Sequence, residues 1–295
     1  MNRFTNRLVR DLAWVIASPP LVSGSFNNTL WWNHAKCLIE FEDCLPMLLE
    51  LDINPTPLDE YLNRFKTARL GLRFESFVAF WLNISPNYEL LTKNLQIIEE
   101  LEKGSHTHGE IDFIIKDLNT NRIIHLEVAV KFYLGTAPFD NPFRWFGINT
   151  RDQFGKKVTH LKQHQTQLSC KFSKYLKEKG YVIDEQQCLL KGRLFYPIGK
   201  DEPPSGAAKN HLRGRWVQSP HEFKNESLYP LDKKDWLSVL SKEDLIKLDC
   251  QSNLLNSEKT QCYVRSISHK LGDKELERVF YLPKKFRFPV QNTDK

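Results

Sequence analysis

The 295-residue chain carries 42 Lys and Arg against 36 Asp and Glu, a formal charge of +6, with 41% hydrophobic and 26% charged residues. This composition excludes a disordered chain and leaves ample material for a core, and no apolar run reaches the length of a membrane span. The basic excess permits a polyanionic partner without demanding one. Six cysteines without CxxC spacing, and a start that lacks a secretory signal, give the expectation of reduced thiols in the cytosol.

Residues 3–17 predict a short helix with Leu8, Leu12, Val15 and Ile16 on one side, stopped by Pro19 and Pro20. Trp14, Trp31 and Trp32 are assigned to packing rather than base stacking. A helical pattern from Asn33 to Leu51 is interrupted at Pro46, and Pro55 and Pro57 mark a turn. Leu58 to Asn83 is the next predicted helix, with a bend at Gly71. Its second half sets Leu70, Phe74, Phe77, Val78 and Trp81 on a buried stripe, with Glu75 at the stripe's edge. Tyr88 to Glu102 reads as a first strand, irregular near Lys93 and Asn94. His106 and His108 stand at i, i+2, but no second cluster at metal-site spacing accompanies them, so zinc is set aside.

Gly109 to Lys131 is the most informative stretch. Two runs rich in Ile, Val and Phe flank a polar segment with Asp117, Asn119 and Asn121, which reads as a β-hairpin. Alternation puts Glu110, Asp112 and Ile114 on one face of the first strand, and Glu127, Ala129 and Lys131 on one face of the second. A turn centred between Asn119 and Thr120 sets Asp112 opposite Glu127. Like charges so placed cost about 0.2–1 kcal/mol, and a divalent cation between them would remove that cost. A solvated polar face with Glu127 and Lys131 as a surface pair is the other reading of the same spacing.

Gly135 to Arg151 is a long connection in which Phe139, Arg144 and Trp145 serve either substrate or packing. From Thr150 to Gly180 a helix is expected, opened by a Thr150–Gln153 capping box, with Phe154, Val158, Leu161, Leu168, Phe172 and Tyr175 along its apolar stripe. Gln165 falls on that stripe, flanked by His164, and a buried amide needs a partner. Lys156, Lys157, Lys162 and Lys171 lie on other faces, for phosphates or for solvent. Cys188 to Ile198 reads as a strand and 199–210 as a loop. Arg213, Arg215 and Trp216 form a basic and aromatic cluster suited to phosphates and bases. Asp232 to Leu248 is a predicted helix, and Gln261 to Ser268 and Arg278 to Pro283 are predicted strands.

Asp112, Glu127 with a lysine on its strand, and a preceding helix with Glu75 resemble the PD-(D/E)xK nuclease superfamily. The segments Arg10-Asp11-Leu12-Ala13-Trp14, Ser18-Pro19-Pro20, Glu127 to Tyr133 and His211 to Trp216 are similar to the bacterial family DUF1853. The resemblance implies an α/β fold with a restriction-endonuclease-like core (helix, three-stranded sheet, helix, strand) at 58–198. N-terminal helices at 1–57 and a C-terminal α+β addition at 199–295 would complete a single domain. It implies a nuclease holding Mg²⁺ or Mn²⁺ on Asp112, Glu127 and Glu75, with Lys131 and Gln165 at the reaction. Nucleic acid, with DNA expected, would meet Lys157, His164, Arg213, Arg215 and Trp216. The superfamily's usual lysine position, two residues after the Glu, is Ala129 here. A restriction-endonuclease-like module that binds nucleic acid or protein without turnover is the alternative.

Overall fold

Helix α1 (Arg7–Ala17) begins at Asn6, whose side chain accepts hydrogen bonds from the Leu8 and Val9 amides, and it is buried continuously from Val9 to Ala17. In this computed structural model the described residues are 3–26, 28–65, 67–100, 104–219, 227–248, 258–267 and 274–289. Four further helices precede the main strands: α2 (His34–Asp43), α3 (Leu45–Ile53), α4 (Thr56–Asn63) and α5 (Leu70–Ile84). Pro46 lies in the first turn of α3, where its missing N–H costs nothing. The helix expected over Leu58–Asn83 is instead two, parted between Arg64 and Arg69 rather than bent at Gly71. There the Thr67 hydroxyl accepts from the Arg69 amide, a local bond that competes with helix continuation.

The strands are β1 (Gly24–Phe26), β2 (Thr29–Trp31), β3 (Tyr88–Glu100), β4 (Ser105–Asp117), β5 (Ile123–Gly135), β6 (Trp145–Phe146), β7 (Glu185–Pro197), β8 (Arg213–Val217), β9 (Ser227–Leu231), β10 (Gln261–Ile267) and β11 (Lys274–Tyr281). They form one mixed sheet in the order β3-β4-β5-β7-β8-β11-β10-β9, with β6 on β5 and with β2, joined by β1, on the first part of β7. The protein is therefore a mixed α/β structure around a large sheet. Short strands β1, β2, β6 and β9 escaped the sequence reading because none is long enough to establish a period. Ser268 and Glu102, the predicted ends of two strands, lie outside the described residues.

β5 and β7 pair in parallel from Ile124–Glu185 to Leu134–Phe195, and both are covered on two faces. On one face Val128, Val130 and Leu189 pack with Phe74, Phe77 and Trp81 of α5. On the other, Tyr133, Cys188 and Leu190 pack with Phe154 and Leu161 of α6 (Phe154–Gln163). Gly192, opposite Lys131, has φ +139°, and a Cβ there would lie 1.7 Å from the Lys131 carbonyl oxygen.

The single helix expected after Thr150 is broken. Thr150 has φ +57°, α6 starts from Gln153 without a side-chain cap, and the chain turns at His164 into a 3₁₀ turn (Gln165–Gln167), α7 (Leu168–Lys171) and α8 (Ser173–Glu178). The turn seats Thr166 in the core, its hydroxyl donating to the Leu161 carbonyl, and frees Gln165 from the apolar stripe. Likewise the helix predicted over Asp232–Leu248 reduces to a 3₁₀ turn at Lys233–Asp235 and the short α9 (Lys242–Ile246), which has its own Ser241 capping box. Cys37, Cys44, Cys170, Cys188 and Cys262 are free thiols. Among the described residues no helix is long and apolar enough to cross a membrane.

Candidate active site

The β4–β5 turn is fixed by Asp117, whose carboxylate accepts from the Asn119 and Thr120 amides, and by Asn121 in the left-handed region. Pairing then runs from Lys116–Ile123 to Phe113–Leu126 and stops. The next step of that register is Asp112 opposite Glu127, as the turn centre predicts. Here side chains replace the ladder: the Asp112 amide donates to Glu127 Oε1 at 3.3 Å, and the Val128 amide donates to Asp112 Oδ2 at 2.9 Å. The β3 side yields at the same level. Asn94, at φ +54°, drops out of the β3–β4 pairing opposite Asp112, and its Nδ2 donates to Glu110 Oε1 at 3.1 Å. Both neighbours of Asp112 thus give up a rung to make space for polar side chains.

Glu127 is fully buried, and its Oε1 also lies 2.8 Å from His125 Nε2. His125 Nδ1 reaches Ser169 Oγ at 2.9 Å. Burial lowers the imidazole to about 4, which favours its neutral form between Glu127 and Ser169. Glu127 Oε2 is buried with no hydrogen-bond partner. Burial raises both Glu127 and Asp112 from the ordinary carboxylate range, and for Asp112 the charge of Glu127 adds to it. Glu75, on α5, is pushed up to about 7 by burial and then by Asp112 and Glu110. Glu75 is thus in the field of Asp112, Glu110 and Glu127, and Glu127 in that of Glu110.

One ammonium group faces them from α6. Lys157 Nζ donates to Gln165 Oε1 at 2.9 Å, and its pKa is lowered by burial and by Lys131, against the pull of Asp112 and Glu127. The broken helix is what allows this bond, since Gln165 folds back across the end of α6. Lys131 shares the Glu127 face, but its Nζ donates to Asp152 Oδ2 at 2.6 Å, and Tyr133 OH donates to Asp152 Oδ1. Of the residues picked out in the sequence, Asp112, Glu127, Glu75, Gln165 and Lys157 come together, with Lys131 beside them and held by Asp152. His164 is exposed at the end of α6, stacked on His160.

Arg213, Arg215 and Trp216 lie elsewhere. β8 pairs with Leu194–Pro197, six or more residues along β7 from Cys188, the partner of Glu127, which is about 20 Å by strand rise. Arg215 pairs with Asp201 and Glu277, Arg213 bonds the Asp201 carbonyl above the Tyr196 ring, and Trp216 Nε1 donates to the Gly135 carbonyl. In the long connection, Trp145 is buried with Nε1 donating to Phe139, and Arg144 bonds Ala137, so that segment packs over the sheet. His125, Ser169 and Glu110 were not selected from the sequence as site residues. The signal for His125 and Glu110 is the two-residue period, each being one same-face step from Glu127 or Asp112.

Among the described residues no three His, Cys, Asp or Glu side chains form a ready metal-binding group. Asp112 and Glu127 alone still suit a hard divalent cation: two adjacent buried carboxyl groups, both raised by burial, and one buried oxygen without a hydrogen-bond partner. Glu75 adds to the negative field without completing a three-ligand set.

A family model described as a domain of unknown function, DUF1853, matches residues 10–280. The chain belongs to the DUF1853 family. No curated protein and no solved structure matches it. Within this DUF1853 chain the match runs from α1 into β11 and includes the acid cluster. It also includes the Arg10–Trp14 segment, which serves to join α1 to the C-terminal region: Arg10 pairs with Asp244, and Asp11 accepts from the Ser238 amide and hydroxyl.

Proposed function

We propose that this DUF1853 chain is a metal-dependent nuclease with a restriction-endonuclease-like core, hydrolysing phosphodiester bonds in nucleic acid, with DNA the expected polymer. The observation that carries this reading is the convergence of Asp112 and Glu127, beside Lys157, where the β4 ladder opens on both sides. The run of α5, β3, β4, β5, α6 and β7 follows the helix, three strands, helix and strand expected of such a core.

Asp112 and Glu127 would hold Mg²⁺ or Mn²⁺, which supplies positive charge to a phosphoryl oxygen and makes a bound water more acidic. His125 holds Glu127 by Oε1 and leaves Oε2 for binding. Gln165 aims the Lys157 ammonium at the acids, where it offsets the charge that gathers on phosphoryl oxygens during in-line attack by water. Lys157 thereby takes the part expected of Lys131, and it does so from the helix behind the strand that carries Ala129. The non-catalytic binding module is the second reading, favoured by the lack of a three-ligand group among the described residues.

Incubation with single-stranded, duplex and branched DNA and with RNA, in Mg²⁺, Mn²⁺ or EDTA, separates the two. Cleavage that needs metal and is lost in Asp112→Asn and Lys157→Met supports the enzyme. Tight binding without cleavage in any arm supports the module, and neither binding nor cleavage contradicts both.

A further inference from the structure

A cavity of about 590 Å³ opens beside the acid cluster, between the Arg64–Arg69 link and β3. Its lining includes Glu75, which lies in the field of Asp112, Asn94, which is bonded to Glu110, and Phe113, the neighbour of Asp112 on β4, so the cavity borders the acid cluster. Arg64, Arg69 and Lys93 also line it. Among the described residues none of the three has an ion-pair or hydrogen-bond partner for its side chain. The Lys93 ammonium instead lies over the Phe65 ring, 4.2 Å from its centre. Phe65 and Leu72, both in the lining, are 41% and 43% exposed.

The contrast with the rest of the surface is informative. Arg213 and Arg215, in the cluster that the sequence brought forward, are held by Asp201, Glu277 and carbonyl groups. Among the described residues the cavity's cations lack such partners, and the Phe65 ring beside them carries Lys93 over one face and is still 41% exposed. An occupant that satisfies both carries negative charge and a flat apolar face together. A nucleotide does, and the cavity falls within the size range of small-ligand sites. A base stacked and paired inside a duplex cannot offer its face to Phe65, whereas an unpaired base can.

We infer that this cavity is a subsite for an unpaired nucleotide flanking the cleaved phosphodiester, so that the substrate is single-stranded or locally unpaired nucleic acid. The inference rests on the nuclease reading for what happens next door. Phosphates would lie on Arg64, Arg69 and Lys93, and the base on Phe65.

Fluorescence anisotropy in EDTA, with a labelled single-stranded oligonucleotide and its duplex, tests binding without turnover. Wild type is compared with Phe65→Ala and with the triple variant Arg64→Gln/Arg69→Gln/Lys93→Gln, and thermal melting confirms that each folds. The single strand is expected to bind about tenfold or more tightly than the duplex. The triple variant is expected to lose about tenfold and to show a salt slope shallower by about 2, as three lost contacts of ~0.7 each require. Phe65→Ala is expected to lose about tenfold on the single strand and little on the duplex. Unchanged single-strand affinity in both variants, or a preference for duplex, overturns the subsite. If these binding differences stand while Mg²⁺ and Mn²⁺ give no cleavage, the catalytic reading fails and the unpaired-strand site survives.

Discussion

Two buried charge clusters in this molecule respond to burial in opposite ways. Where α1 meets the C-terminal strands, Arg278 Nε donates to Glu275 Oε1 at 2.8 Å, Arg278 Nη1 to the Asp235 carbonyl, and the Leu240 amide to Glu275. Burial alone would raise Glu275, but Arg278, helped by Arg193 and the Leu240 amide, outweighs it and brings the carboxyl below its ordinary value. In the acid cluster around Asp112, burial and like charge push the same way, and Lys157 is the ammonium set against four carboxylates. The first cluster is closed by its own partners and holds the fold together. The second has more acids than cations to pair them and a buried oxygen without a hydrogen-bond partner, a condition that a bound cation would relieve.

The largest effect that separates them is on stability. Arg278→Met strands a buried Glu275 and is expected to cost about 3–5 kcal/mol in urea unfolding, whereas Asp112→Asn removes a repulsion and leaves the metal-free protein as stable or more so. A cost below about 1 kcal/mol for Arg278→Met would erase the distinction. In cleavage assays the order reverses. Asp112→Asn and Lys157→Met are expected to lose about 10²–10³-fold, by loss of charge at the reacting phosphate, and Lys131→Met less than about tenfold.

Titration gives a smaller signal of defined sign. Carboxyls raised in the folded state bind more protons than in the unfolded chain, so their stabilisation is present below the ordinary carboxylate values of 3.8 and 4.5 and is lost as pH rises through their folded values, about 7 for Glu75. His125, neutral in the fold, acts in the other direction only below its ordinary 6.5. The metal-free protein is therefore expected to lose a few degrees of melting temperature between about pH 6.5 and pH 8. Asp112→Asn flattens that slope and Mg²⁺ reverses it. A melting temperature that rises over this window would contradict the assigned repulsion. The smallest effect is expected for Arg215→Gln, whose partners are partly exposed: under about 1 kcal/mol in stability and no change in single-strand affinity by anisotropy.

The Asp112–Glu127 register was legible because a turn centre and a two-residue period suffice to set it, and the polar Gln165 on an apolar stripe did announce a partner. The identity of that partner was not legible. In a continuous helix through 150–180 Lys157 and Gln165 stand eight residues, about 12 Å, apart along the axis, and only the turn at His164 brings Gln165 back to Lys157. The cavity was hidden for the same kind of reason: a helix drawn through Arg64–Arg69 leaves no room for one, and a local bond such as that from the Arg69 amide to the Thr67 hydroxyl leaves no trace in the apolar period. Arg213, Arg215 and Trp216 looked like a binding cluster because composition does not reveal Asp201 or Glu277 beside them. The family match bears out the resemblance to DUF1853, and the mixed α/β sheet bears out the coarse fold class.

The acid pair itself is tested most directly by titrating Mn²⁺ into the purified protein at pH 8 by isothermal calorimetry, beside Asp112→Asn and Glu127→Gln. Saturable binding to wild type that is lost in both variants, with each variant still folded, is the predicted result. No binding to wild type, or binding that both substitutions leave unchanged, would contradict a cation site between β4 and β5.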